Sequence, residues 1–225
     1  MPENERTLHT IALIGGTGPE GKGLATRFAI AGHKVIIGSR DPARGIEAAE
    51  ELTKKLSTVP DSNITGDTNE NAVSNADIAV VTVPYGGHEV TLESLKSLLV
   101  DKIVIDAVVP VYFEKGPRPI EVPAGSATEE AAFILPDSKV AGAFHNLSAE
   151  VLLDPDADLD ADVLVTGSGA AKETALQLAS EIKGARAIDS GPLRYSRFVE
   201  GITILLIGIN SRYKTHTGVT ISGLE

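Results

Sequence analysis

The chain has 225 residues, more than one average domain and less than two, and its 42% hydrophobic content rules out intrinsic disorder for the bulk of it. A formal net charge of −11 repels a phosphate backbone and argues against nucleic acid as a partner. Cysteine is absent, which excludes disulfide frameworks, thiolate zinc sites, iron–sulfur clusters and thiol nucleophiles together.

The segment 1–6 is polar and lacks the apolar stretch of a secretory signal, so a cytoplasmic protein is expected. Residues 9–14 form a near-continuous apolar run ending in glycines, as a strand buried on both faces does. A helix is predicted over 20–31, stopped by Gly32, then a strand over 34–38. Asp41-Pro42 reads as the N-cap and first position of the next helix. Further strands are predicted at 64–66, 78–83, 103–107 and 140–143, with helices at 69–75, 88–99 and 128–135. Strands alternating with helices at this spacing predict an α/β fold, a doubly wound parallel sheet of Rossmann type, over residues 1–150.

Aspartates fall on alternate positions between 154 and 162, but they do not make a calcium loop. Counted from Asp156, the required glycine is Ala161 and the bidentate glutamate is Gly167. A solvated acidic connector is expected there. Beyond it a strand (163–166), a helix (172–182), a strand (187–189) and a helix (194–212) predict a small C-terminal α/β domain over 151–225. Within the last helix, 201–209 is apolar all round yet far short of the roughly 20 residues that span a bilayer. Such a helix needs cover on every side, and a homodimer interface would supply it.

Gly16-Thr17-Gly18-Pro19-Glu20-Gly21 is a G-x-G-x-x-G turn between the first strand and first helix, where glycines let the backbone approach a pyrophosphate over a helix N-terminus. Glu20 opposes this unless it points to solvent, because a carboxylate would compete with phosphate. At the end of the second strand stand Ser39 and Arg40, with Arg44 four residues on, rather than an acid free to accept from a ribose hydroxyl. Two guanidinium groups suit a 2′-phosphate, so NADP is expected over NAD.

Short-chain reductases need Tyr-x-x-x-Lys, whereas Tyr112 is followed by Lys115 at three residues and no other tyrosine fits. The glycine turn also resembles the sensor-like branch of that group, which binds NADP without turnover; this is the alternative reading. A closer resemblance spans nearly the whole chain. The segments Ile11-Ala12-Leu13-Ile14-Gly15-Gly16-Thr17-Gly18, Gly38-Ser39-Arg40, Asp77-Ile78-Ala79-Val80-Val81-Thr82-Val83-Pro84-Tyr85 and Val109-Pro110-Val111 carry it. So do Ala143-Phe144-His145-Asn146-Leu147-Ser148-Ala149 and Asp189-Ser190-Gly191-Pro192-Leu193-Arg194-Tyr195-Ser196-Arg197. Through these the chain resembles the coenzyme F420-dependent NADP reductases, homodimers that transfer a hydride between a deazaflavin and a nicotinamide.

The resemblance implies NADP and coenzyme F420 as cofactors, and no metal. Gly16, Thr17, Gly18, Pro19, Glu20 and Gly21 would lie along the pyrophosphate, and Ser39, Arg40 and Arg44 at the 2′-phosphate. Val83, Pro84 and Tyr85 would approach the cofactor after the fourth strand, and Leu147, Ser148 and Ala149 would border the nicotinamide. His145 and Thr203, with Gly201, would belong to the deazaflavin pocket, His145 as a positioning or proton-assisting group. His88 departs from the family pattern by one residue and receives no role.

Overall fold

In the computed structural model, which describes residues 7–224, the expected alternation is present from the first strand onward. The segment 1–6, and with it the reading of a polar N-terminus, lies outside the described residues, as does Glu225. In chain order the first half comprises β1 (Thr10–Ile14), α1 (Pro19–Ile30), β2 (Lys34–Ser39), α2 (Pro42–Lys55), β3 (Asn63–Thr68), α3 (Asn69–Ser74), β4 (Ile78–Val81), α4 (His88–Leu95) and β5 (Ile103–Asp106). A short hairpin, β6 (Val111–Phe113) and β7 (Pro117–Pro119), precedes α5 (Ala127–Ile134), β8 (Lys139–Gly142) and α6 (Ala149–Leu153). Then come β9 (Ala161–Val165), α7 (Gly169–Ser180), β10 (Ala185–Asp189) and α8 (Ser196–Tyr213).

Six strands pair in the order β3-β2-β1-β4-β5-β8, every neighbour parallel. This is the doubly wound Rossmann-type sheet. Parallel pairing puts all carboxyl ends on one edge, and the strand order reverses between β1 and β4, so a ligand crevice opens there. The apolar run of β1 feeds two cores by simple alternation: Ile11 and Leu13 face one side with Leu24, Phe28 and Leu52, while Ala12 and Ile14 face the other with Leu92, Leu95 and Val104. The cap of α2 forms as expected, with Ala43 N–H donating to the Asp41 carboxylate at 3.0 Å and Pro42 opening the helix.

Three stretches differ from expectation. The hairpin β6–β7 was not anticipated, because its prolines and charges break the period-two apolar alternation that marks a strand. Directly before the acidic run lies an unanticipated helix, α6, and the carbonyls of Val151, Leu152 and Asp154 accept from the buried guanidinium of Arg27 at 2.6–2.9 Å. Gly23 of α1 lets Leu152 close on that helix. At the far end of the connector, β9 begins two residues early, and Asp162 is buried rather than solvated. It accepts from Arg186 at 2.8 and 2.9 Å and from the Ile221 amide at 2.6 Å, tying down the C-terminal segment.

β9 and β10 pair in parallel, and an antiparallel bridge joins Gly142 to Thr166, so this second small sheet starts where β8 ends. α7 packs on β8 and β5, and its Ala171, Ala175 and Leu178 enter the same core as β1. The chain itself does not cover α8. Leu206 is buried, but Ile202, Ile204, Ile207 and Ile209 are half-buried and Phe198 and Leu205 are exposed. Among the described residues no helix is long and apolar enough to cross a membrane.

α2 meets β3 through two glycines, and a Cβ built on Gly66 would overlap the Gly45 backbone. Gly66→Ala is therefore expected to cost about 1–3 kcal/mol. Chemical denaturation checks this; an unchanged midpoint would show that the two elements do not meet backbone to backbone.

Candidate functional site

The turn between β1 and α1 is built for close approach. Gly15 has φ +71°, and a Cβ there would strike Val83 at the end of β4. A Cβ on Gly21 would sit 2.5 Å from Gly16 Cα, so α1 starts directly against the end of β1. Gly18 is different: a Cβ there meets nothing within 4 Å, so its face of the turn is open. Gly18 caps α1 without a side-chain hydrogen bond, leaving first-turn N–H groups free to donate to an anion. The Asn69 side chain, at the start of α3, accepts from Gly15 N–H at 3.0 Å and fixes the turn from behind.

Ser39 lies at the carboxyl end of β2 with its oxygen accepting from Asp41 N–H at 3.2 Å, so its own proton is free to donate. Arg40 and Arg44 are both exposed beside it, with no carboxylate partner among the described residues. Glu20 does not turn to solvent. Its Oε1 is sealed and unpartnered among the described residues, and burial pushes the carboxyl from its ordinary 4.5 up to about 8. Burial thus favours its protonated form, which would not repel a phosphate over the same turn.

Further along the edge, two polar clusters flank the start of α5. In the first, His88 is fully buried between two carboxylates, with Nε2 2.7 Å from Asp106 and Nδ1 2.9 Å from Glu130. Burial alone would lower its pKa, but Asp106 and Glu130 outweigh that and hold it at about 9. The Tyr85 hydroxyl donates to the other Glu130 oxygen at 3.2 Å, and its ring stacks on the imidazole with centroids 6.0 Å apart. In the second cluster, the buried Glu200 of α8 accepts from the backbone N–H groups of Ala127 and Thr128 and from the Thr128 hydroxyl at 2.9–3.1 Å. It thereby satisfies the N-terminus of α5, and burial still raises its carboxyl to about 7.

His145 follows β8, one residue after Phe144, which is held in the left-handed region at φ +71°. Its Nε2 lies 3.4 Å from the Thr128 hydroxyl and 4.0 Å from Glu200, its backbone oxygen accepts from Thr203 at 2.7 Å, and Nδ1 is buried without a partner among the described residues. Burial lowers its pKa to about 4, so the imidazole is neutral: it can accept or donate a hydrogen bond but does not serve as a standing acid.

The structure thus brings the glycine turn, Ser39, Arg40, Arg44, Val83, Pro84, Tyr85, His145 and Leu147–Ala149 to one edge of the sheet, since each follows the carboxyl end of a strand in it. Thr203 reaches them from α8 through its bond to His145. Ser148 is partly occupied, its oxygen capping α6 at Val151 N–H. Asn69, Asp106, Glu130, Thr128 and Glu200 were not anticipated. The S-x-x-E spacing of Ser126 and Glu129 was the one available signal of the α5 start: Glu129 N–H donates to the Ser126 oxygen at 3.0 Å, and the Ser126 hydroxyl donates to the Glu129 carboxylate at 2.9 Å.

Residues 10–110 match the family model described as NADP oxidoreductase, coenzyme F420-dependent. The chain is 42% identical to the F420-dependent NADP reductase of Methanothermobacter thermautotrophicus, covering 95% of each protein. It is 40% identical to that of Methanocaldococcus jannaschii, covering 96% of this chain and 99% of the relative. Among solved structures, a candidate F420-dependent NADP reductase from Arthrobacter sp. FB24 is 25% identical, with TM-score 0.76 over 95% of this chain and 100% of that one.

The state of Glu20 has a measurable sign. The native state holds a proton on this carboxyl between pH 4.5 and about 8 that the unfolded chain releases, so stability contributed here falls as pH rises through that window. Glu20→Gln is expected to raise the thermal midpoint by a few degrees at pH 8, with the advantage shrinking toward pH 5. Calorimetry across pH checks it; an advantage independent of pH would contradict a buried carboxyl.

Proposed function

Because the chain belongs to the coenzyme F420-dependent NADP oxidoreductase family, we propose that it moves a hydride directly between the deazaflavin of coenzyme F420 and the nicotinamide of NADP(H). The observation that carries this reading is one sheet edge with open helix N–H groups and exposed guanidinium groups at one end and, further along, His145 with a ring nitrogen buried and unpartnered among the described residues. When bound, the nicotinamide exchanges the hydride at C4 and the deazaflavin at C5. The protein's task is to hold two planar rings about 3–3.5 Å apart and keep water out.

The residues divide that task. Gly16, Thr17, Gly18, Pro19, Glu20 and Gly21 receive the pyrophosphate, with Gly18 as the point of closest approach. Ser39, Arg40 and Arg44 take the 2′-phosphate, the serine by its free proton and the arginines by charge-assisted bonds. Val83, Pro84 and Tyr85 form the wall at the nicotinamide end, opposite Leu147, Ser148 and Ala149. His145, buried beside the deazaflavin site and anchored by Thr203, lends it a neutral hydrogen-bonding group once the ring or its neighbours shift to uncover it. In this reading residues 1–150 form the NADP-binding domain, and 151–225 complete the deazaflavin pocket and carry the dimer contact. The half-buried aliphatic face of α8 supports a homodimer, since a lone chain would leave Phe198 and Leu205 in water. Nothing favours the sensor without turnover.

The test is a steady-state assay with NADPH and purified coenzyme F420, followed by the deazaflavin absorbance. Turnover is expected, and Arg40→Ala with Arg44→Ala should raise the KM for NADPH tenfold or more per lost contact, at roughly 1.5–3 kcal/mol each, while leaving that for NADH little changed. Tight NADPH binding without deazaflavin reduction would overturn the enzyme reading; equal losses for both nucleotides would remove the arginines from the 2′-phosphate.

A further inference from the structure

The turn that carries Tyr85 is held only in part by packing: Val83 and the Tyr85 ring lean on the core behind β4, but the backbone beyond them is open. Pro84 and Gly86 are exposed, and a Cβ built on Gly86 or Gly87 meets nothing within 4 Å. The rest of the hold on Tyr85 comes from its hydroxyl on Glu130 and its ring against His88. His88 in turn is joined to two other elements, to Asp106 at the end of β5 and to Glu130 on α5, at 2.7 and 2.9 Å. A neutral imidazole has one N–H, so between two ionised carboxylates both short contacts are satisfied by a ring carrying a proton on each nitrogen. The Asp106 carboxylate is further oriented by Val108 N–H at 3.1 Å, so the post that holds His88 is itself rigid.

We propose that His88 is a positioning residue that fixes the Tyr85 ring at the nicotinamide end of the crevice, acting through its paired bonds to Asp106 and Glu130. The inference rests on NADP occupying that crevice. The Tyr85 face that is not against His88 is half-exposed at the carboxyl end of β4, beside Val83, which touches the glycine turn. A planar ring entering from the turn meets that face first. Without His88 the two carboxylates repel, Glu130 loses its anchor, and the hydroxyl it accepts from is freed with it. The loss falls on coenzyme binding rather than on the transfer itself, because His88 is sealed from any ligand.

The test is a double-mutant cycle of His88→Gln and Tyr85→Ala, reading the NADPH dissociation constant from nucleotide fluorescence without deazaflavin, alongside KM and kcat. His88→Gln is expected to weaken NADPH binding about tenfold with Tyr85 present and less than about twofold in the Tyr85→Ala background, with kcat at saturating NADPH little changed. Equal weakening in both backgrounds, or none in either, overturns the proposal. Should His88→Gln lower the yield of folded protein, Glu130→Gln, which keeps a carbonyl for the Tyr85 hydroxyl but removes one of the two carboxylate charges that face His88, is put through the same cycle with the same two outcomes. A wild-type protein that binds no NADPH would instead overturn the functional reading on which the inference rests.

Discussion

Gly21 can approach the Gly16 backbone only because it carries no side chain, and this contact sets where α1 begins. One added methyl would lift the helix from the end of β1 and carry its free N–H groups off the switch point between β1 and β4. The rest of the crevice is measured from that point. Val83 rests against Gly15, Asn69 holds the Gly15 amide, and Ser39 stands one strand away at the end of β2. An anion bound at the turn therefore has its distance to the Arg40 and Arg44 side fixed by strand spacing, and its distance to Tyr85 and His145 fixed by the same sheet.

Charge at this edge is managed group by group on a chain of net −11. Glu20 is kept neutral by burial, Glu200 is spread over helix N–H donors, and His145 is stripped of its proton. His88, buried, keeps a positive charge between two carboxylates. In a low-dielectric crevice, unpaired like charges near the phosphates or the rings would cost far more than in water. The arrangement leaves cations exposed where phosphate arrives and a neutral imidazole, His145, where the deazaflavin is proposed to bind.

The parts of this architecture that follow local rules were legible in the sequence. A continuous apolar run marks each buried strand, Asp41-Pro42 marks a helix start, and three glycines at fixed spacing mark the turn. The clusters were not, because they join residues far apart: His88 to Asp106 and Glu130, Thr128 to Glu200. A buried charge has no periodicity of its own, so Asp162 looked like one more aspartate in an acidic run although it anchors Arg186 and the C-terminal segment. Glu20 was read as a conflict with phosphate, and only its burial resolves that conflict. α6 and the β6–β7 hairpin are too short to impose a period on the sequence.

The central claim, that the crevice holds two rings in contact and passes a hydride between them, is tested most directly by following the label. NADPH carrying deuterium at C4 on the transferring face, mixed with coenzyme F420 in ordinary water, should yield a reduced deazaflavin with the deuterium retained at C5. Mass spectrometry showing the label lost to solvent, or shared with it, would contradict direct ring-to-ring transfer.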